Sequence, residues 1–481
     1  MVFSSESFLF LFLPLFLLVY YLTPERARSY PILVGSYVFY AWWRVDFLGL
    51  LFLTTVFTYL VGQKIGQHRG TERGRLYLTI GVIGCLGVLG VFKYLNFFID
   101  SFAYLLGTEP ADLGIHWRLI LPIGISFYVF QALSYLIDVH RGDAKADAKF
   151  IDFAAFIALF PQLIAGPILR YKDLEDQFRK RDHSVEMFCD GLTRFLIGLA
   201  KKVILADAVA PLADLAFATD NPGMALAWAG AIAYMLQLYF DFSGYSDMAI
   251  GLGKMMGFNF LENFRFPYIS RSITEFWRRW HISLSNWLRD YLYISLGGNR
   301  KGPTRTYVNL MTVMVLGGLW HGANWTFVLW GFWHGGLLAT ERYLGWDRKA
   351  SRYWFALPLT LLFVLIGWVM FRAAYVGEAF EIYGGMIGLN GLIGDPAVWR
   401  EVTRESVMFT ILAGMVAALE PRINALLSAP SDGAAAPRPN GVLVVQPAAQ
   451  MMLTLAVLSI AALTILKLAE QSFSPFLYFQ F

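Results

Sequence analysis

The chain has 481 residues, 57% of them hydrophobic and 17% aromatic, with only 15% charged, where soluble domains carry roughly 25%. A water-soluble fold of this length would need a charged skin that the composition cannot supply, so the reading is an all-α polytopic integral membrane protein. A net charge of +4 offers no basic patch for nucleic acid, and two cysteines, Cys85 and Cys189, exclude a disulfide scaffold or a multi-thiolate metal site.

The first apolar run, Phe8 to Leu22, has no basic segment before it: the first charge is Glu6 and the first cation Arg26. It is expected to be a retained membrane helix, with Arg26 and Arg28 holding its end in the cytoplasm. Further apolar runs cover 30–43, 46–62, 76–106, 117–138, 150–168, 187–217, 223–257, 306–340, 353–371, 405–420 and 448–467. Several exceed the roughly 20 residues of one span and must split, which predicts about eleven to thirteen helices. Cations gather in 63–75, 170–181 and 299–305, whereas 107–115 and 373–399 hold no Lys or Arg. The basic loops are therefore expected on the cytoplasmic side and the other two outside. The Ala/Pro/Gly-rich stretch 429–449 predicts a flexible linker before a terminal helix over 448–467. No internal repeat is visible, which counts against a transporter built from inverted halves.

Ionisable side chains in apolar runs cost about 2.5–3.5 kcal/mol each, so their positions carry the functional reading. Thr306 to Thr340 holds no charged residue and contains GGLWHGANW and WGFWHGG. As one helix it would run about 52 Å against a hydrocarbon core of about 30 Å, so it must break, at Gly317-Gly318 or at Gly322-Ala323-Asn324. His321 lies at that break beside Trp320, either as a packing histidine bonded to a carbonyl or as an imidazole lining a cavity. His334, about 140° round a continuous helix from it, reads as packing. Phe276 to Ser295 is amphipathic: Trp277, Trp280, His281, Leu284, Leu288 and Tyr291 share one face and Arg278, Arg279, Arg289 and Asp290 the other. It predicts one helix lying at the cytoplasmic interface, His281 pointing inward. Asp241 and Asp247 project about 120° apart on a helix and read mainly as partners for buried Tyr, Arg or backbone groups. Cys85 lies in GVIGCLGVLG without a nearby base and Cys189 has only a weak local context, so neither reads as a reactive thiol.

SYVFYAWWRVDF (36–47), LPIGISFYVFQALSYLIDVHRGD (121–143), LFPQLIAGPILRYKDL (159–174), QLYFDFSGYSDMAIGLG (237–253), the WRRWHISLS stretch with His281 and the GGLWHGANW stretch with His321 together resemble the membrane-bound O-acyltransferase family, in particular its bacterial alginate O-acetyltransferase branch. The resemblance is strong over 1–375 of what reads as a single domain, 1–481; the last hundred residues depart from it. It implies a multi-pass protein of the bacterial inner (cytoplasmic) membrane, a ring of tilted helices around a cytoplasmic funnel and central channel. It also implies acyl transfer from a cytoplasmic thioester, acetyl-CoA, to a hydroxyl, with no permanently bound cofactor and no metal. His321 takes the position of the family's catalytic histidine and His281 that of its second polar residue. For such chemistry His321 would be the general base, with His281 or Asn324 positioning the acyl carbonyl. Arg278, Arg279 and Lys301 would attract coenzyme A phosphates, and Trp280 and Trp320, beside the two histidines, would complete the substrate contacts. Because acetyl-CoA is cytoplasmic and the polysaccharide is acetylated outside, the resemblance implies relay to an extracytoplasmic serine-esterase-like acetyltransferase partner. Acetylation of cellulose or peptidoglycan, D-alanyl transfer to teichoic acid from a carrier protein, and, in a different class, a transporter or channel remain open on the sequence.

Overall fold

The computed structural model describes residues 1–147, 149–428, 447–470 and 476–477, and among these there are helices and no strand. The N-terminal part runs through a π turn at Ser7–Phe12 into α1 (Leu13–Leu22), then α2 (Ser29–Ala41), α3 (Asp46–Gln67) and α4 (Glu72–Leu89). A second π turn, Gly90–Tyr94, joins α4 to α5 (Leu95–Leu105). Next come α6 (Ile125–Arg141), α7 (Phe150–Ala158), α8 (Phe160–Leu163), α9 (Tyr171–Arg179), α10 (Val185–Ala200), α11 (Asp207–Ala218) and α12 (Met224–Met255). The C-terminal part holds α13 (Ile273–Arg279), α14 (Ile282–Trp287), α15 (Pro303–His321), α16 (Trp325–Leu344), α17 (Trp346–Lys349) and α18 (Ala356–Arg372). It closes with α19 (Val376–Met386), α20 (Arg404–Ser428) and α21 (Pro447–Glu470), the last matching the predicted terminal helix. Of the predicted linker, 429–446 lies outside the described residues.

Among the described residues, three continuous helical stretches are long and apolar enough to cross a membrane, Asp46–Gln67, Glu72–Leu105 and Arg404–Ala425, with Ser7–Leu22 and Ala356–Arg372 as shorter apolar helices. Within the apolar runs read from the sequence, π turns at Ser7–Phe12 and Gly90–Tyr94 interrupt the α-helical ladder.

The charge pattern of the loops is reproduced in space. Arg69 donates to the Arg141 carbonyl at 3.3 Å, Arg141 to the Asp290 carbonyl at 3.1 Å, and Arg170 to the Asp290 carboxylate at 2.8 Å. The basic segments 63–75 and 170–181 thus meet at one end. At the other, Met224 N meets the Gly391 carbonyl at 2.9 Å, Trp325 Nε1 meets Ser101 Oγ at 3.2 Å and Arg372 pairs with Asp214.

Between the ends, α10 and α12 touch at the backbone: a Cβ on Gly198 would lie 2.5 Å from the Gly244 carbonyl oxygen, and one on Gly244 2.7 Å from that of Gly198. Small residues allow this approach, the usual device of helix packing in lipid. The approach brings charges of α10 and the π turn after it onto α12. Asp247 pairs with Arg194 at 2.8 Å and Lys201 at 3.1 Å, and Asp241 pairs with Lys202 at 2.8 Å and accepts the Leu477 amide at 3.0 Å. Both aspartates are therefore structural partners, as the sequence suggests.

One expectation is overturned. Phe276 to Ser295 is not a single interfacial helix but α13, α14 and a π turn at Leu288–Tyr293, broken at Trp280-His281. The loop before it causes the break: Arg265 N donates to the Arg279 carbonyl and Ile282 N to the Asn263 carbonyl, both at 2.9 Å. Those groups are lost to a continuous helical ladder, and His281 turns left-handed with φ 44°.

Candidate active site

The long uncharged run breaks where its second glycine cluster lies. α15 ends at His321, Gly322 is extended, and Asn324 caps α16 by accepting from Thr326 N at 3.2 Å. Gly317 and Gly318 stay helical, a Cβ on Gly318 falling 2.1 Å from the Phe327 carbonyl oxygen of the facing helix. A helix that ends inside protein leaves its last carbonyls without partners. Here the π turn Gly90–Tyr94 supplies them: Tyr94 Oη donates to the Leu319 carbonyl at 2.8 Å, and Lys93 Nζ donates to the carbonyls of Trp320 and, at 3.2 Å, His321. Lys93 also donates to Ser126 Oγ at 3.1 Å, and its charge sits where the negative end of α15 favours a cation.

The imidazole of His321 is 5% exposed and packed edge-on against Trp330 and Phe371, with ring centroids 5.3 and 5.2 Å away. His281 is fully buried, its ring centroid 6.2 Å from that of His321 and 4.7 Å from that of Phe242. Its Nδ1 lies 3.1 Å from Asn263 Oδ1. That same atom accepts the Ser283 main-chain N–H at 3.2 Å and the Ser283 hydroxyl at 2.9 Å, so it is an oxygen and the imidazole Nδ1–H must donate to it. In the neutral ring this leaves a lone pair on Nε2, an acceptor.

A cavity of about 550 Å³ opens beside His321, lined among others by Tyr40, Trp42, Trp43, Lys93, Ser126 and Trp320. No Asp or Glu is among its lining residues, and Lys93 and His321 are its basic side chains. Its walls come from the start of α6, the end of α2 and the first seven residues, all at the end of the molecule away from the basic loops. The site is thus a buried histidine pair of which His321 lines an aromatic cavity that also holds Lys93.

The other predicted residues fall into place around it. Trp320, 2% exposed, lines the cavity between Phe127 and Phe130, whose centroids are both 5.4 Å away. Trp280 is buried against Phe276, Phe264 and Trp368 rather than on the cavity. The Asn324 amide is occupied twice, as the α16 cap and by donation to the Ala374 carbonyl at 2.7 Å. Arg279 is tied to Glu275 at 2.9 Å and to the Arg265 carbonyl at 3.1 Å, whereas Arg278 and Lys301 are exposed. His334 packs among Trp277 and Trp330. Cys85 is buried beside Thr58 and Cys189 is exposed.

Lys93, Ser126 and Asn263 are absent from the residues that the sequence singles out. A lone cation inside the apolar run 76–106 is a signal for the first. Nothing local marks the other two, since a serine or asparagine earns its place only through distant partners.

Residues 141–376 match the family model of MBOAT, membrane-bound O-acyltransferase family. The "Probable alginate O-acetylase AlgI" of Azotobacter vinelandii is 50% identical over 503 aligned residues that cover 100% of both chains. The "Peptidoglycan O-acetyltransferase" of Helicobacter pylori is 37% identical over 82% of this chain and 81% of its own. The "Teichoic acid D-alanyltransferase" of Bacillus subtilis is 30% identical over 53% of this chain and 69% of its own.

Proposed function

The chain belongs to the membrane-bound O-acyltransferase family, and we propose that within it this enzyme takes acetyl from cytoplasmic acetyl-CoA and passes it across the inner membrane for O-acetylation of an exopolysaccharide, alginate. The observation that carries this reading is the position of His321, at a helix break buried in the protein with a cavity on the face away from the basic loops. An acceptor hydroxyl entering that cavity gives its proton to His321 as its oxygen attacks the thioester carbon; the C–S bond then breaks and the thiolate leaves. His281, its ring fixed by Asn263 and 6.2 Å from that of His321, keeps an acceptor nitrogen, Nε2, for the reacting groups. From the other face, Arg278 and Lys301 guide the coenzyme A phosphates. The acceptor is a serine-esterase-like acetyltransferase partner outside the membrane, which finishes the transfer on the polymer. Alginate is favoured over peptidoglycan or teichoic acid by the full-length match to the alginate O-acetylase, against partial matches to the other two.

The test is His321→Ala in the native host. Alginate ester content should fall to background while the protein stays in the membrane at its normal level. Unchanged alginate esters, or loss of esters from peptidoglycan instead, would overturn the assignment.

A further inference from the structure

The acyl-transfer reading leaves one need unmet. As a thioester carbonyl is attacked, its oxygen becomes an oxyanion and requires a donor, a contribution of about 2.7–4 kcal/mol in well-studied sites. Neither side chain that the sequence suggests for this supplies one: Asn324 donates to the Ala374 carbonyl, and His281 Nε2 is an acceptor while Nδ1–H points at Asn263.

Ser126 and Lys93 are different. Both are buried and both line the cavity that His321 lines. Lys93 Nζ has three acceptors, Ser126 Oγ and the carbonyls of Trp320 and His321, matching the three N–H bonds of an ammonium. In its ammonium form it therefore brings a positive charge to the cavity wall and has no N–H left to point at a ligand. The Ser126 hydroxyl takes one of those bonds on a lone pair and keeps its own proton to donate, polarised by the ammonium behind it. The backbone fixes its place. Gly124, at φ 75°, packs so tightly that a Cβ would lie 2.5 Å from the Leu163 carbonyl oxygen, and it starts α6 so that Ser126 sits in the first turn, at the positive end of a 17-residue helix.

We infer that Ser126 is the oxyanion donor of this enzyme and Lys93 the positioning residue that charges it. The inference rests on the acyl-transfer reading. As the acceptor oxygen forms its bond to the acyl carbon, the carbonyl π pair moves onto oxygen and is met by the Ser126 O–H; when that pair returns, the C–S bond breaks and its electrons leave with the thiolate. The acceptor's proton, taken up by His321, passes to the departing thiolate, so both His321 and Ser126 are unchanged at the end of the cycle. Because Lys93 also holds the His321 carbonyl, one cation fixes both the donor and the base relative to each other.

The experiment uses the full-length protein purified in detergent, with acetyl-CoA as donor, an added small alcohol as the acceptor hydroxyl and release of free thiol as readout. Ser126→Ala should lower kcat by about 100- to 1000-fold with the KM for acetyl-CoA within about twofold and an unchanged melting temperature. Ser126→Thr, which keeps the hydroxyl, should recover at least about tenfold of that loss. Lys93→Met should lower kcat, and adding Ser126→Ala to it should cost little more, since residues acting as one unit are not additive. A Ser126→Ala enzyme with kcat within about threefold of wild type, or one defective only in KM, overturns the inference and leaves the acyl-transfer reading intact. An acetyl ester found on Ser126 by mass spectrometry of the wild type also overturns it, making Ser126 a nucleophile. A wild type that releases no thiol from acetyl-CoA overturns the donor assignment and the inference with it.

Discussion

The Nδ1 of His281 lies 3.1 Å from Oδ1 of Asn263, across a break in which the Asn263 carbonyl also takes the amide N–H of Ile282 at 2.9 Å. One asparagine thus fixes both the ring and the backbone of the histidine. The backbone it imposes, φ 44°, is one that L-residues other than Gly, Asn and Asp seldom adopt, at a cost of roughly 1–2 kcal/mol. Strain of this kind persists where the surrounding structure over-determines it, and it clusters at working sites.

His281→Gly separates the two roles. Glycine adopts that backbone freely, so the relieved strain offsets part of the lost packing, and the melting temperature in detergent should fall by no more than a few degrees. Acetyl transfer should drop by at least about 100-fold, the scale of a lost acid–base group. His281→Val, β-branched and intolerant of positive φ, should lose both activity and folded protein. Near-normal turnover by the glycine variant would make His281 a packing residue.

Much of this site is legible in the amino-acid order, and the parts that are not share a physical cause. The length of Thr306 to Thr340 requires a break, and the glycine cluster with Asn324 localises it, because helix termination depends on neighbours in the chain. His281 is foreseen as inward-facing, but its helix is not foreseen as broken: the hydrogen bonds that stop it come from Asn263 and Arg265, on a loop outside the helix. Lys93 escapes for the same reason, since its partners at 126, 320 and 321 are remote in sequence. The loop charges, by contrast, can be read directly along the chain, because the bias that orients a span is set loop by loop.

Asn324 gives a second prediction. Its side chain caps α16 and ties that cap to the Ala374 carbonyl. Asn324→Ala should lower stability by about 0.5–2 kcal/mol, the usual cost of a lost cap, read as a lower midpoint on thermal unfolding in detergent. The folded fraction should keep turnover within about threefold of wild type, since the side chain makes no bond that changes during acyl transfer. Asn324→Ser, a cap of different shape, should restore most of the stability. A large fall in kcat with an unaltered midpoint would return Asn324 to the catalytic machinery.

The last prediction concerns the charges that hold α10 to α12. Asp247 neutralises Arg194 and Lys201, and Lys201 is bonded in turn to Glu420 of α20 at 2.7 Å, with Tyr239 donating to the same carboxylate at 2.6 Å. Three helices therefore share one partly buried network whose members were costly to desolvate. Removing one partner leaves the others uncompensated, so Asp247→Ala should destabilise by about 3–5 kcal/mol and show as loss of monodisperse protein on extraction. Lys201→Met alone strands Glu420 in the same way. The double variant Asp247→Ala with Lys201→Met should recover part of the loss, because Arg194 retains Glu262, 2.5 Å away, and one fewer buried cation needs a partner. If the double variant is as unstable as the sum of the singles, the network is a set of independent pairs that each hold α10 to α12 alongside the packing of Gly198 on Gly244.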